Sequence, residues 1–441
     1  MNRISRRAVL AGPALSVLAP ALAGRAAAGT DVDVVVIGGG AAGLAAAKHL
    51  LSLGRSVIVL EARDRLGGRV HTDLRLGQPF EAGARYIHWA ERNPWRRLAA
   101  ELGLETRGDE SGSPGGFAVL DEGRPLSADE RSSRRQAFTR LNDVLERGIT
   151  GPDRSIAEIA GPADTDARGA AAGLTLLSLG EEPERVSGAD YGQLWSGDDL
   201  EVPGGYGTLL LRYGAGLPVR LNEPARLIDW SGPGVSVATP SGTVRARSAI
   251  VTVSVGMLRS GSLRFRPALP GTTLTALDGL GMGAYTKIAL RLAQPAAGDL
   301  PEVLDLGGGS GLINFDVRAG GPDLVVAHLG GDAARRLCEA GEREAVAHAS
   351  ERLGVVYGAE MARGVTGGVL AGWWADPFAQ GSYSIARPGG AGARLALRQP
   401  IGERLWLAGE ASAAGGAMTA GGATLEGFRA ADEVHRALGV G

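Results

Sequence analysis

Residues 32–43 read VDVVVIGGGAAG and decide the fold. The Val/Ile run is typical of a parallel strand that is buried on both faces. Gly38, Gly40 and Gly43 follow with the spacing G-x-G-x-x-G, and the Ala/Leu-rich residues after them predict a helix. Residues 57–60 predict a second strand. The stretch therefore predicts a strand–turn–helix–strand unit of an α/β fold.

The context of these glycines predicts a dinucleotide site. Glycine fills 70 of 441 positions, so three glycines at this spacing arise by chance about twice in the chain. The surrounding elements therefore carry the argument. The N–H groups at the helix N-terminus, near Ala42, attract phosphates. Glu61, 18 residues after Gly43, can accept hydrogen bonds from the ribose hydroxyls.

Length and composition narrow the class of protein. A chain of 441 residues exceeds one ordinary core, so two intertwined domains are expected. Apolar content of 44% and charged content of 21% are typical of a globular protein. The net charge of −2 gives no electrostatic case for nucleic acid. The single cysteine, Cys338, and six scattered histidines predict neither an intramolecular disulfide nor a metal site.

Residues 1–28 resemble a twin-arginine export signal. Arg6 and Arg7 precede an apolar stretch of about 16 residues that two prolines interrupt, followed by small-residue cleavage sites. That stretch is shorter than the roughly 20 residues that span a bilayer, which disfavours the alternative of a membrane anchor. The sequence predicts export to the periplasm or the extracellular space, without a stable membrane anchor.

Residues 61–69 read EARDRLGGR and contain the motif R-x-G-G-R. This resembles the second flavin motif of the glutathione reductase-like FAD superfamily, especially the flavin amine oxidases. The resemblance implies that Glu61 and Ala62 hold the adenosine ribose. It also implies that Arg63 and Arg69 brace the phosphates or the flavin.

Residues 80–89 read FEAGARYIHW and resemble a run beside the flavin ring in the same family. Gly83, Ala84 and Arg85 would then pass close to the cofactor. Tyr86 and His88 would face the substrate, since polyamine oxidases have an aromatic residue and a His or Glu at the matching positions.

Lys287 lies in the stretch GMGAYTKIAL, residues 281–290, which resembles the family's M-G-x-x-x-K strand. The family's lysine holds a water against flavin N5, the atom that accepts hydride. A buried ammonium is costly unless it is satisfied, so a lysine is unusual in a core strand. The alternative is a lysine on an edge strand that points to solvent.

Residues 373–384 read WWADPFAQGSYS and resemble a further flavin segment. Trp374 would lie beside the cofactor, with a core position as the alternative. Ser382 stands where monoamine oxidases have a cysteine bonded to the flavin, so the resemblance implies non-covalent FAD. Tyr383 matches one wall of the aromatic cage around the amine, whereas Thr419 stands at the other wall.

Residues 405–423 resemble the third flavin motif, a strand ending in Gly-Glu followed by a helix. Glu410 would bind the ribityl chain or the pyrophosphate. The backbone at Thr419 and Ala420, at the helix N-terminus, would face flavin N1 and O2, where negative charge develops on reduction. The backbone around Ala225 and Arg226 would receive the adenine.

The resemblance covers nearly the whole chain and predicts two domains. A Rossmann-like, glutathione reductase-like FAD-binding domain should comprise residues 31–105, 200–276 and 376–441. A discontinuous, mixed α+β substrate domain should comprise residues 106–199 and 277–375.

Local patterns predict further elements. Helices are expected at residues 130–145, 169–179 and 333–352. Strands are expected at residues 224–230, 235–238, 244–247 and 249–253.

The predicted function is that of an FAD-dependent amine oxidase. Hydride would pass from the carbon alpha to nitrogen to flavin N5, the imine would hydrolyse, and dioxygen or a redox carrier would reoxidise the flavin. The alternatives are an L-amino-acid oxidase or a tryptophan monooxygenase-like enzyme, in which an arginine grips the substrate carboxylate. In this sequence Tyr86 stands at the position of that arginine, and Arg85 stands one residue before it. On a strand, an offset of one residue points the side chain to the opposite face. A flavin-binding protein without turnover is a third alternative, and the sequence leaves the particular amine and the oligomeric state open.

Overall fold

The computed structural model describes residues 31–108, 117–161, 164–296, 302–308, 311–317 and 320–439. The predicted export signal lies outside these residues. The strands are β1 (Val32–Ile37), β2 (Val57–Leu60), β3 (Thr72–Asp73), β4 (Phe80–Glu81), β5 (Tyr86–Ile87), β6 (Arg107–Gly108), β7 (Phe117–Asp121), β8 (Arg124–Pro125), β9 (Leu200–Glu201), β10 (Val219–Arg220), β11 (Leu227–Asp229), β12 (Val235–Thr239), β13 (Gly242–Val251), β14 (Arg264–Arg266), β15 (Leu280–Met282), β16 (Thr286–Leu292), β17 (Glu302–Asp305), β18 (Ile313–Val317), β19 (Leu324–Leu329), β20 (Val365–Ala371), β21 (Ser384–Ala386) and β22 (Leu405–Leu407).

The α-helices lie between these strands along the chain, singly or in groups. They are α1 (Ala41–Ser52), α2 (Pro94–Glu101), α3 (Ala128–Glu146), α4 (Ile156–Ala160), α5 (Thr165–Ser178), α6 (Gly188–Tyr191), α7 (Tyr206–Gly214), α8 (Val255–Arg259), α9 (Gly271–Asp278), α10 (Gly331–Ala340), α11 (Glu342–Tyr357), α12 (Ala359–Arg363), α13 (Ala393–Ala396) and α14 (Ala420–Ala437).

The first sheet joins three distant parts of the chain. Its strand order is β10-β2-β1-β13-β12-β11-β14, and β22 also pairs with β13. Strands β1, β2, β10, β13 and β22 pair in parallel, whereas β12 is antiparallel to its neighbours. Val34, Val35 and Val36 are fully buried in this sheet, which explains the apolar run of β1. The arrangement is the predicted Rossmann-like α/β sheet.

Helices α1 and α14 pack closely beside this sheet because small residues meet at their crossing. A Cβ on Gly427 would lie only 2.2 Å from the carbonyl oxygen of Ala42. A Cβ on Gly43 would likewise lie 1.9 Å from the carbonyl oxygen of Gly38. Glycine at these positions therefore allows the helices and the first strand to approach.

The second sheet has the order β20-β16-β19-β18-β17-β7-β8. Helices α10 and α11 come before β20 in the sequence. Helix α11 packs on the sheet: its Ala345, Ala349 and Leu353 are buried in the apolar cluster that also contains the sheet residues Ile288 and Phe315. All these strands come from the ranges expected for the substrate domain. The domain boundaries themselves stay a prediction.

Several predicted elements differ from the observed ones. The strands expected at residues 244–247 and 249–253 are one strand, β13, whose Ser248 is buried within the sheet. The single helix expected at residues 333–352 is two helices, because Gly341, with φ of 92°, ends α10. The strand expected at residues 224–230 is shorter, Leu227–Asp229.

Two kinds of feature are absent from the part of the chain that the structure describes. None of its helices combines the length and the apolarity that crossing a bilayer requires. No cluster of three or more His, Cys, Asp or Glu side chains there could hold a metal ion.

Candidate active site

A cavity of about 1360 Å³ runs from the glycine-rich turn after β1 to the second sheet. It exceeds the roughly 300–1000 Å³ of an ordinary small-molecule pocket, so it can hold a dinucleotide and a further ligand. Most of the residues predicted from the sequence to form the site line it: Gly38, Gly40, Ala42, Glu61, Ala62, Arg63, Arg69, Gly83, Ala84, Arg85, Tyr86, His88, Ala225, Arg226, Lys287, Tyr383, Glu410, Thr419 and Ala420.

At one end of the cavity, backbone N–H groups hold the carboxylate of Glu61. Gly39 N donates to Glu61 Oε2 at 2.6 Å, and Arg63 N donates to Glu61 Oε1 at 2.8 Å. The side chain of Arg63 makes two hydrogen bonds, of 2.9 and 2.7 Å, to Asp376. Gly38 has φ of +107°, and a Cβ there would lie 2.6 Å from Thr252 Oγ1. This end is a preformed turn that only glycine fits.

An ion pair between Arg69 and Glu410 lies farther along the cavity. Arg69 Nη1 is 2.9 Å from Glu410 Oε1 and also donates to the carbonyl oxygen of Ser382 at 2.9 Å. Burial raises the pKa of Glu410, but Arg69, the Ser384 hydroxyl and Arg394 together outweigh burial and lower it. Glu410 is therefore an anion, and its ion pair with Arg69 links an N-terminal part of the chain to a C-terminal part.

Lys287 lies inside the second sheet, since β16 pairs with β19 on one side and β20 on the other. The alternative of a solvent-facing edge lysine is therefore wrong. Its Nζ donates to the carbonyl oxygens of Glu81 at 2.9 Å and Gly83 at 2.8 Å. Burial and the charge of Arg85 lower the pKa of Lys287 to about 8. The ammonium thus faces the predicted flavin segment and titrates near neutral pH.

An aromatic wall lies beside Lys287. The rings of Tyr285 and Tyr383 stack with centroids 6.1 Å apart and an angle of 29°. The hydroxyl of Tyr285 lies 2.8 Å from His328 Nδ1, and the hydroxyl of Tyr383 donates to Ser178 O at 3.0 Å. Sequence reasoning missed the roles of Tyr285 and His328, although Tyr285 lies within the flavin motif itself. Burial and the charge of Lys287 hold the pKa of His328 well below its usual range, so this imidazole is neutral.

Tyr86 and His88 line the same part of the cavity, with ring centroids 5.6 Å apart. His88 Nδ1 lies 2.9 Å from Asp199 Oδ2, and 40% of the His88 side chain is exposed. The guanidinium of Arg85 points to carboxylates: it donates to Glu201 at 2.7 Å and is also paired with Asp316. The backbone of Arg85 therefore belongs to the segment that is predicted to pass the flavin, whereas its side chain is paired with Glu201 and Asp316.

Thr419 caps helix α14 at the cavity wall. Its Oγ1 accepts a hydrogen bond of 3.0 Å from Gly422 N, which leaves earlier N–H groups of the first turn, including that of Ala420, outside the helical ladder. Met418 before it has φ of 65° and also lines the cavity. The positive end of this helix is thus presented to the cavity.

Trp374 requires a correction, because its side chain lies outside the cavity. Its Nε1 donates to Glu339 at 3.2 Å, and Arg335 lies 4.6 Å above its ring. Trp373, one residue earlier, lines the cavity and donates to the carbonyl oxygen of Ala82 at 2.8 Å. The chain turns directly after β20, so adjacent tryptophans point in different directions.

The sequence analysis also missed three carboxylates and one amide that line the cavity within residues 106–199 and 277–375, the ranges predicted for the substrate domain and called the substrate half below. Glu302, Asn314 and Asp316 line the cavity from β17 and β18, and Asn314 donates to Glu302 at 2.9 Å. Glu146 lines it from α3 and is exposed. The alternation of polar and apolar residues in β18 was the available signal, since residues 314 and 316 share one face.

A family model for flavin-containing amine oxidoreductases matches residues 41–168 and 122–435. The chain belongs to the flavin-containing amine oxidase family. It is a FAD-dependent oxidoreductase that acts on small-molecule amines, and FAD is its cofactor. The elongated cavity, the glycine turn without room for a Cβ, and the helix end at Thr419 fit that cofactor.

Similar proteins include several amine oxidases. The oxidase is 29% identical to polyamine oxidase 4 of Oryza sativa subsp. japonica, over 92% of this chain and 89% of that protein. It is 29% identical to lysine-specific histone demethylase 1 homolog 2 of Arabidopsis thaliana, but spans only 59% of that longer protein. A wild-type putrescine oxidase bound to putrescine has the same fold, with a TM-score of 0.75 and 21% identity, over 92% of this chain and 99% of that one.

Proposed function

We propose that the oxidase acts on an aliphatic amine that carries a second positive charge, such as a diamine or a polyamine. The observation that carries this proposal is the charge distribution in the substrate half. Glu302 accepts a hydrogen bond from the neutral Asn314, and Glu146 is an exposed carboxylate that lines the cavity. These two carboxylates can attract the distal ammonium of such a substrate.

The cations of the same region are already engaged. Arg85 is bonded to Glu201 and Asp316, and Lys287 donates to two carbonyl oxygens. A carboxylate on the substrate would have to displace an acid from Arg85 and would meet Glu302 nearby. An amino-acid substrate is therefore disfavoured, because its discrimination needs an available arginine.

The side chains around the reacting centre support amine oxidation in distinct ways. Bound FAD supplies the hydride acceptor. The rings of Tyr383 and Tyr285 give an apolar wall against which a neutral amine can lie, and Thr419 stands where family members have a second wall. Lys287 offers a third N–H beyond its two carbonyl partners, which can hold a water at the flavin.

The names of similar proteins agree with this substrate class, because a polyamine oxidase and a putrescine oxidase are among them. The test is anaerobic bleaching of the flavin by putrescine, spermidine, a simple monoamine and an amino acid. The proposal predicts that the diamine and the polyamine reduce the flavin fastest. Faster reduction by the amino acid would overturn it, and no reduction by any amine would indicate a binding protein without turnover.

The oxidase is further proposed to be exported by the twin-arginine route. Arg6 and Arg7, followed by a weakly apolar stretch with small-residue cleavage sites, support this proposal. A route that transports folded proteins suits an enzyme that must bind FAD before export. FAD is proposed to be non-covalent, because the serine at position 382 has no thiol with which to bond the flavin.

A further inference from the structure

A second cavity lies behind Lys287. It has a volume of about 230 Å³ and shares Arg85, Lys287 and His328 with the large cavity. It also includes Arg107 and Pro203, which are exposed and do not line the large cavity. Lys287 therefore lies between two cavities that reach the surface at different places.

The wall of this second cavity suits water. Its charged and titratable side chains are those of Glu81, Arg85, Arg107, Glu201, Lys287 and His328. A water occupies roughly 30 Å³ in the liquid, so the space has room for several. The apolar residues Phe80 and Val326 form only part of the lining.

Glu81 supplies an independent sign of a water-binding position. Its Oε1 accepts hydrogen bonds of 2.9 Å from Thr72 Oγ1 and from Tyr206 N. Its Oε2 is buried and has no partner within the described part of the chain. A buried carboxylate oxygen without a partner is destabilising, so a bound water is the expected partner. The carbonyl oxygen of the same residue accepts from Lys287 Nζ.

The choice of lysine at position 287 is informative in this chain. Lysine occurs at only two positions, 48 and 287, although lysine and arginine together number 46. Arginine keeps its proton in proteins, whereas lysine can release one. Burial and Arg85 lower the pKa of Lys287 to about 8, with Glu81 acting in the opposite direction. Position 287 thus has the basic side chain that can exchange a proton near neutral pH.

We propose that the second cavity is a water-filled proton route between solvent and Lys287, and that Glu81 positions its water. Protons reach Lys287 by this route while substrate or product fills the large cavity. It rests on the proposed position of Lys287 beside the reacting centre. Formation of peroxide consumes one proton with the hydride equivalent, H⁻ + O₂ + H⁺ → H₂O₂. Lys287 gives that proton, becomes a neutral amine, and regains a proton from the water of the second cavity.

A crystal structure of the FAD-loaded oxidase tests the water site without any turnover. The proposal predicts ordered water within hydrogen-bonding distance of Glu81 Oε2, connected towards Arg107 and Pro203. A second cavity without ordered water, or a side chain bonded to Oε2 in its place, would overturn the proposal.

Proton uptake tests the route in solution. The holoenzyme is reduced anaerobically with excess diamine and then mixed with dioxygen and a pH indicator. If no amine reduces the flavin, dithionite is used as the reductant. The proton route can then be tested even if the proposed amine substrate is wrong. Glu81→Gln keeps the Oε1 acceptor and removes the charge, whereas Pro203→Trp fills the mouth. Each should slow proton uptake at least tenfold.

Two matched variants control for general damage. Glu344→Gln changes an exposed carboxylate outside both cavities, and Pro203→Ala leaves the mouth open. Both should take up protons at the wild-type rate. Wild-type uptake in both Glu81→Gln and Pro203→Trp would overturn the proposal, and the Pro203→Trp result decides if Glu81→Gln does not fold.

Discussion

Lys287 Nζ donates a hydrogen bond of 2.8 Å to the carbonyl oxygen of Gly83, although 204 positions separate the two residues. This contact joins β16 of the second sheet to the loop that is predicted to pass the flavin ring. It holds the ammonium between the second sheet and residues 81–83. The position of the ammonium therefore depends on two segments that are far apart in the sequence.

Replacing Glu302 should change the selection of substrate. Glu302→Gln removes the charge that is proposed to attract the distal ammonium, while the amide can still contact Asn314. We expect KM for a diamine to rise about tenfold, which corresponds to roughly 1.4 kcal/mol. KM for a monoamine should stay unchanged in the same assay. Equal changes for both substrates would contradict the proposed role.

The two tryptophans at positions 373 and 374 should respond differently. Trp373→Phe removes the N–H that donates to Ala82 O at 2.8 Å and loosens the cavity wall. We expect a several-fold weaker retention of FAD, measured by titrating the apoprotein with FAD. Trp374→Phe is the matched control and should bind FAD as the wild type does. A larger effect at Trp374 would restore the original sequence-based assignment.

The flavin should be released by denaturation. Ser382 Oγ donates to Gly283 O at 2.8 Å and accepts from Tyr285 N, so it has a structural role without a thiol. Acid precipitation should leave yellow FAD in the supernatant. Flavin that remains with the precipitated chain would refute non-covalent binding.

Export can be tested at the arginine pair. Changing Arg6 and Arg7 to lysine retains the charge but removes the twin-arginine motif. The oxidase activity should then stay in the cytoplasm of the producing cells, as measured by fractionation. Unchanged activity in the periplasm or the medium would exclude this route.

The pH dependence should report the titration of Lys287. Its pKa is lowered from 10.5 to about 8, so the ammonium is charged below that pH and neutral above it. Reoxidation of the flavin by dioxygen should therefore slow as pH rises through about 8. The unfolded chain keeps this proton up to a higher pH, so the free energy of unfolding should rise between about 8 and 10.5. Neither change should occur in Lys287→Met.

The sequence allowed the first β-α-β unit to be predicted closely because its signals are local. The apolar run, the glycine spacing and the acid at Glu61 all lie within one short stretch, and they define β1, α1 and β2. The break expected near Ser248 was wrong for a tertiary reason. Strand β13 pairs with three different strands, and these pairings continue it through a polar position.

The substrate half could be predicted only where a motif marked it. Lys287 and Tyr383 lie in recognisable segments, whereas Glu302 and His328 reach the cavity through pairing between strands. Such pairing depends on register, which single residues do not reveal. The same limit explains the error at Trp374, since a shift of one residue past the end of β20 exchanges the side chain that faces the cavity.

The most direct test of the account is rapid kinetics of Lys287→Met, with Lys48→Met as the control. Methionine keeps the apolar stem but removes the ammonium. FAD should stay bound in both variants, because Glu61, Arg69 and Glu410 are unchanged. Removing one preorganised group at a reacting centre typically costs about 3 kcal/mol, roughly a hundredfold in rate. The account predicts that loss in flavin reduction or reoxidation for Lys287→Met alone; wild-type rates for both half-reactions would contradict it.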